Sequence, residues 1–496
     1  MGGDFSRLTF RPEKRYSAVL AQQGRIELDA DVNEQAAIQE YLRRRFAADL
    51  IGSHAGPVNE TEGGVARCTA FEIHYRPGEN GALADLVIGG GCYYVDGMLA
   101  DASVPERAQP VHEHEREHGH EHEHGREHEH EDEPGRWTYW TQPDAYRDEG
   151  DEADRLPDKF PFLVYLKVQE RFISAVEDPD IREVALGPAL PDTSGRLKVT
   201  WQVLPMRPSD GFEPPKDPTP DRLRWAFDHW AALRCQPTSR MAARAWRSEN
   251  GEEDPRVIGP DSRYRGVENQ LYRIEIHHGG SAGTDPATSA TFKWSRDNGS
   301  VIFPIADIDG TWVSLAGLGR DDKLDLHAGD LVEVVDDAYL ARAAAHPLLQ
   351  VADVDVPGRR VRLSDEPRHD VGHSSGRHPY LRRWDQRPGS LDAPGFTHGA
   401  QHIIEGTWIG IEDGLEVWFA PDGEYGTGDY WLVPARTLTG DVEWPRDVSG
   451  RPLLERPAGI SCRYAPLAWI TDRAGRPTDL REQFTPLAHP VPPHGE

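Results

Sequence analysis

The spacing of breakers along this chain constrains its fold more than any other feature. Runs such as Phe71–Tyr75, LKVTWQVLP, QLYRIEIHH, ATFKWSRDN and SVIFPI are each closed within a few residues by Gly, Pro, Asp or Asn. Forty prolines and 48 glycines supply that punctuation, and 14 tryptophans supply large core or interface residues. Short apolar runs between turn residues read as strands. Helix candidates are few. The expected fold is therefore mainly β and multi-domain, with a long N-terminal helix and a second helix near 220–236. Evenly spaced short strands fit sandwich-like and barrel-like domains equally well.

One stretch departs from this pattern. Tyr16 to Gly52 reads as an extended arm ending in a turn, then one long amphipathic helix. The arm, Ser17 to Leu28, is β-compatible, with Val19, Leu20, Ile26 and Leu28 as its apolar residues. Asp31 is the expected helix start, with Glu34 three residues on as an aspartate version of the capping box. Asp29 and Asp31 also place negative charge at the positive end of the helix dipole. Val32, Ala36, Leu42, Phe46 and Leu50 form the expected apolar stripe. Arg43, Arg44 and Arg45 fall in the second half, and Gly52 supplies a left-handed stop. The stretch is either a helix docked on the domain that follows or an attachment element for a larger assembly. In the second case Arg25, Asp29, Asp31, Asn33, Glu34, Arg43 and Arg44 are the candidate contact residues.

The same stretch carries a resemblance. MGGDFSRLTF, then YSAVLAQQGRIELDADVNEQ, resembles the opening of a family encoded with phage-tail-like (extracellular) contractile injection systems. EDPDIREVALG (Glu177–Gly187), ATFKWSRDNGSV (Ala290–Val301) and GDYWLVPARTLTGDVEWP (Gly428–Pro445) resemble its later blocks, and together these cover most of the chain. The resemblance implies a structural part of a particle; together with a β-rich chain and no intact catalytic constellation, the expected role is non-enzymatic and baseplate-, plug- or fibre-associated. Its implied partners are baseplate, spike, tube or fibre proteins and further copies of itself. No catalytic residues come with it.

Composition narrows the alternatives. At 496 residues the chain has room for several domains. Its 55 Lys and Arg against 84 Asp and Glu give −29, which argues against nucleic acid and anionic membranes as partners. No apolar run approaches a membrane span. The start has no signal-peptide pattern, so synthesis and assembly in the cytoplasm are expected. Cys68, Cys92, Cys235 and Cys462 lie far apart without CxxC spacing, which fits neither a disulfide framework nor a zinc cluster.

Read in order, residues 1–57 form the arm and helix. Residues 58–205 form a first β-domain interrupted by a His/Glu-rich insertion at 106–158. A Pro-rich linker and helix occupy 206–262, a β-region of one or two subdomains 263–470, and a loosely ordered tail 471–496. Within the first β-domain, Leu83 to Leu99 reads as a hairpin turning at Gly89-Gly90-Gly91. Tandem glycines without a following helix do not make a phosphate cradle.

Several motifs imitate chemistry. The tract at the heart of the insertion contains HExxH twice, from His114 and from His120, but every neighbour there is Glu, His, Arg or Gly, so no apolar face can hold a zinc-protease helix. Loose metal binding is the more credible property of the tract. His112, His114, His118, His120, His122, His124, His128 and His130 are interchangeable ligands for adventitious zinc or nickel, and no cofactor is required. GxSxG occurs at Gly279–Gly283 and Gly372–Gly376 without the strand–serine–helix context of a hydrolase. Trp294 and Arg296 flank the turn residues Asp297-Asn298-Gly299 and are candidates for packing or for an assembly contact. Trp408, Trp418, Trp431 and Trp444 fit either β-core positions or a sugar platform. The leading expectation is thus a structural particle component. A carbohydrate-binding or carbohydrate-active β-protein and a metal-buffering protein are the alternatives.

Overall fold

The computed structural model describes residues 2–62, 65–78, 82–104, 136–187, 192–245, 264–283, 288–319 and 321–487. The eight candidate metal-binding histidines lie outside these residues. The protein is mainly β and multi-domain, with three α-helices among the described residues: α1 (Asp29–Ile51), α2 (Pro220–Arg234) and α3 (Asp337–Arg342). The chain divides into two units, each built from separated segments.

The first unit comprises Met1–Tyr41, Gln169–Lys198 and Leu233–Ser461. It contains both architectures that strand spacing left open. A six-stranded sheet centred on Gln270–His278, with Thr291–Ser295 and Tyr430–Arg436 beside it, shares a core with a three-stranded sheet. The smaller sheet consists of Met241–Ala245, Leu415–Phe419 and Trp408–Gly410. Tyr272, Ile274 and Ile276 alternate into that core against Met241, Val417 and Phe419. Each such side chain contributes about 1.5–3 kcal/mol by leaving water. Six antiparallel strands between Ile302 and Trp384 close into a barrel around Val313, Val332, Val351, Val361 and Leu381. Closure leaves the barrel without open edges. Asn298 and Gly299 take left-handed backbone in the expected turn, which passes the chain from the six-stranded sheet to the barrel.

The second unit comprises Leu42–Val168, Val199–Ala232 and Cys462–Glu496. Three sheets surround one core that includes Phe71, Leu86, Tyr93, Val164, Trp201 and Leu467. Helix α2 buries Leu223, Phe227 and Trp230, the face expected from sequence, against Leu163, Tyr165 and Trp469. All four cysteines carry free thiols.

Three local expectations are corrected here. Leu83 to Leu99 is not one hairpin: Asp85–Ile88 pairs with Ile73–Arg76, whereas Cys92–Val95 pairs with Met98–Asp101. The glycines cross between sheets, and the hairpin turn is Asp96-Gly97, both left-handed, the two-residue signal that favours a type I′ turn. Residues 136–158 belong to the core rather than to an insertion. Tyr139 is fully buried, and its hydroxyl donates to the Asp154 carbonyl at 2.7 Å. The tail is pinned as far as 484, because Gln483–Phe484 pairs in parallel with His54–Pro57 and Leu480 is buried. Pairing across more than 400 residues leaves no local trace.

Gly97 tests the hairpin assignment. A Cβ there would collide with the Arg44 carbonyl as well as occupy a strained φ of 76°. At Gly24 the φ is similar and the space is open. Gly97→Ala should cost several kcal/mol in urea unfolding and Gly24→Ala only about 1 kcal/mol. Equal losses would contradict the assignment.

Candidate assembly site and buried ionic core

The N-terminal residues are stitched into the first unit. The Gly3 carbonyl accepts from Asn298 Nδ2 at 2.9 Å, and Phe5 meets Phe172 edge-on at 5.5 Å. Ser6 donates its amide and hydroxyl to the Asp29 carboxylate at 2.8 and 2.6 Å. Burial opposes ionisation of Asp29, but these bonds prevail and its pKa falls. Arg7 forks onto Glu443 at 2.9 and 3.1 Å, Thr9 donates to Glu34 at 2.5 Å, and Phe10 lies 5.6 Å from Tyr41.

These contacts correct the expected helix start. Helix α1 begins at Asp29, two residues before Asp31. The Glu34 carboxylate serves Thr9, and the Asp31 amide donates to the Leu28 carbonyl. No capping box is therefore needed: Asp29 and Glu34 hold residues 6 and 9 instead. Gly52 closes the helix as expected, its amide donating to Ala48 at 2.9 Å.

Anchoring at both ends leaves residues 11–28 as a projecting loop. No strand forms in it among the described residues. Two bonds clip it to α1, from the Val19 amide to Gln35 at 2.6 Å and from Gln39 to the Ser17 carbonyl at 3.5 Å. Its tip is a turn in which the Arg25 amide donates to Gln22 at 3.2 Å. Leu20 and Ile26 flank the tip, 82% and 85% exposed. Helix α1 itself buries Ala30 and Ile38. The expected stripe of Val32, Ala36, Leu42, Phe46 and Leu50 faces solvent, with Phe46 68% exposed. At helical spacing Val32, Ala36, Phe46 and Leu50 turn away from Ala30 and Ile38, whereas Leu42 adjoins Ile38, so α1 carries apolar surface that no described residue of its own chain covers. Of the other candidates, Arg25, Asp31 and Arg43 are exposed, and Asn33 and Arg44 are half-buried.

Trp294 is buried in the sandwich core. Arg296 grips Glu412 through Nε and Nη2, both at 2.5 Å, and its amide donates to Asp385 at 2.8 Å. The contacts of this pair lie inside the first unit. Trp431 and Trp444 are core residues whose indoles donate to the Glu455 and Leu453 carbonyls. Trp408 and Trp418 sit opposite each other across two strands, with Arg244 4.0 Å above the Trp408 ring. The four tryptophans therefore form no common platform.

The densest chemistry was unmarked in the sequence reading. Arg273, Glu275 and His277 occupy the second face of Gln270–His278, and that face is buried too. Glu275 stands opposite Lys293 across the sheet, and Glu333 stands opposite Arg382 across the barrel. Lys293 Nζ joins the two pairs, 2.6 Å from Glu333 and 3.3 Å from Glu275. Tyr339 and the Trp384 indole donate to Glu333 at 2.6 and 3.0 Å, and Lys293 lies 4.5 Å over the Trp384 ring. Burial pushes Glu333 upward, but the charge of Lys293, then His277 and Arg382, with the Lys293 hydrogen bond, together more than reverse this and bring it to about 2. Burial, then Lys293, drives His277 down to about 3. Alternating polar residues on strands ordinarily signal a wet face, and this hid the network. Among the described residues no group of three metal-ligating side chains forms a metal site.

The architecture is that of a mainly β, multi-domain protein with an anchored N-terminal element, and among the described residues no helix is long and apolar enough to cross a membrane. The model of a family of unknown function, DUF6519, matches residues 1–113 and 221–473, well over half of the chain, and the chain belongs to that family. Searches of curated proteins and of solved structures find no match.

Two outcomes test the buried chemistry. Lys293→Met and Glu333→Gln should each cost about 3–5 kcal/mol, because each strands a buried charge. The double variant should cost less than their sum in urea unfolding; strict additivity would show that the pair is not coupled. Asp429 tests a pH effect of the opposite sign to that of His277. Burial raises its pKa to about 7 from 3.8, so the folded state holds a proton that the unfolded state releases between those values. Asp429→Asn should exceed wild type in stability at about pH 8, and the gap should shrink as pH falls towards 4. A pH-independent difference would refute the assignment.

Proposed function

We propose that this chain is a non-enzymatic structural component of a phage-tail-like contractile injection particle, baseplate-, plug- or fibre-associated, held there by the N-terminal element. One observation carries the reading. Helix α1 and loop 11–28 expose Leu20, Ile26, Val32, Phe46 and Leu50, although both ends of the loop are tied down by charged and aromatic contacts. An anchored element that presents apolar side chains outward is suited to burial against another protein. The N-terminal resemblance to proteins encoded with such particles supplies the setting. In this role function is shape: the β-units are carried by the element that docks, and symmetric copies give a repeated interface.

Deleting residues 1–52 would remove Gly3, Phe5, Ala30 and Ile38 from packed positions, so point changes make the cleaner test. Leu20→Asp with Ile26→Asp touches no buried residue. The double variant should keep the wild-type melting temperature within a few degrees. It should disappear from particles sedimented from the native host, as read by mass spectrometry of the pellet. Wild-type levels of the variant in the pellet would refute the reading.

A further inference from the structure

The loop and a second exposed segment of the first unit are complementary in both charge and polarity. Residues 11–28 contain Arg11, Lys14, Arg15 and Arg25 against Glu13 and Glu27, a balance of +2 in a chain of −29. Among the described residues none of these four basic side chains is in an ion pair. Residues 178–187 form two short turns, Pro179–Ile181 and Val184–Leu186. Val184 is 77% and Leu186 52% exposed, and the exposed acids Asp180 and Glu183 lie beside them. Neither acid is in an ion pair among the described residues. The segment is held from within: Asp178 accepts from the Asp180 amide at 3.2 Å and Glu183 from the Ala185 amide at 2.8 Å. Just before it, Glu177 is fixed by Arg171 and by the Ser174 amide. One surface is thus basic and apolar, the other apolar and net acidic, with Asp178, Asp180 and Glu183 against Arg182, and among the described residues neither is covered by its own chain.

We propose that loop 11–28 of one copy seats on segment 178–187 of a second copy. Leu20 and Ile26 then cover Val184 and Leu186, while Arg11, Lys14, Arg15 and Arg25 face Asp180 and Glu183. Loop-to-loop pairing is disfavoured because both partners are basic. The contact therefore pairs unlike surfaces, and copies either exchange it reciprocally about a twofold axis or repeat it head-to-tail as a ring or a stack. This inference rests on the assembly reading above and names the partner as the chain itself.

The full-length protein tests it by analytical ultracentrifugation over a concentration series at about 50 mM and about 500 mM salt. Wild type should self-associate, roughly tenfold more weakly at the higher salt. The loop variant Arg11→Glu/Lys14→Glu/Arg15→Glu and the segment variant Asp180→Lys/Glu183→Lys should each be weakened at least roughly tenfold alone. An equimolar mixture of the two should associate again, since every loop then meets a segment of opposite charge. Misfolding of either variant could not produce that recovery, and circular dichroism of each checks its fold. A wild-type chain that stays monomeric, or variants that gain nothing on mixing, would overturn the inference. Self-association in this pattern by a chain missing from sedimented particles would overturn the particle reading alone.

Discussion

The first unit depends on the charge balance around Lys293. Moving an ammonium or carboxylate out of water costs several kcal/mol per ion even after relaxation. That cost is met here by placing each charge among opposite charges and donors. Lys293 touches Glu333 and Glu275, Glu275 also accepts from Arg273, and Glu333 is closed by Tyr339 and Trp384. The backbone pairing of each sheet supplies one opposed pair to the cluster. Lys293 then ties the sandwich strand Thr291–Ser295 to the barrel strand Leu331–Val335. An apolar contact would tolerate many sliding arrangements of sheet against barrel, whereas a buried lysine between two glutamates tolerates very few.

A similar logic holds the N-terminal element, nearer the surface and with smaller energies. Asp29, Glu34 and Glu443 are each engaged by residues 6, 9 and 7, which fixes the beginning of the chain against α1 and the strand Tyr430–Arg436. The one ion pair among them, Arg7–Glu443, is individually worth little at the surface, and the hydroxyl bonds of Ser6 and Thr9 and the aromatic contacts of Phe5 and Phe10 add to it. The result is a loop fixed at its ends and free between them. That geometry lowers the entropy lost when the loop docks, because its anchors are already ordered.

Much of the fold was legible in local signals. Gly/Pro/Asp punctuation marked a mainly β chain, α2 showed its buried face at Leu223, Phe227 and Trp230, and Gly52 marked the end of α1. Local signals failed where two readings were equally good. A strand alternating Ile274, Glu275, Ile276 and His277 looks half-wetted, yet both faces are buried, since the charges on the polar face find partners from strands distant in sequence. The stripe from Val32 to Leu50 fitted a docking face for its own chain as well as one for a larger assembly. Ala30 and Ile38 took that role, because the contacts of residues 3–10 set the rotation of the helix.

The sequence by itself determined the class, the two long helices and several of the turns, because these follow from residue-to-residue spacing within tens of positions. Only the tertiary structure decided that 136–158 and 478–484 are anchored to the core through residues such as Tyr139 and Leu480, that the units are assembled from separated segments, and that Lys293 joins two sheets. It also decided which side of α1 faces outward. Each of these depends on pairing between residues far apart in the chain, where the energy of a contact is set by what surrounds it and not by what adjoins it.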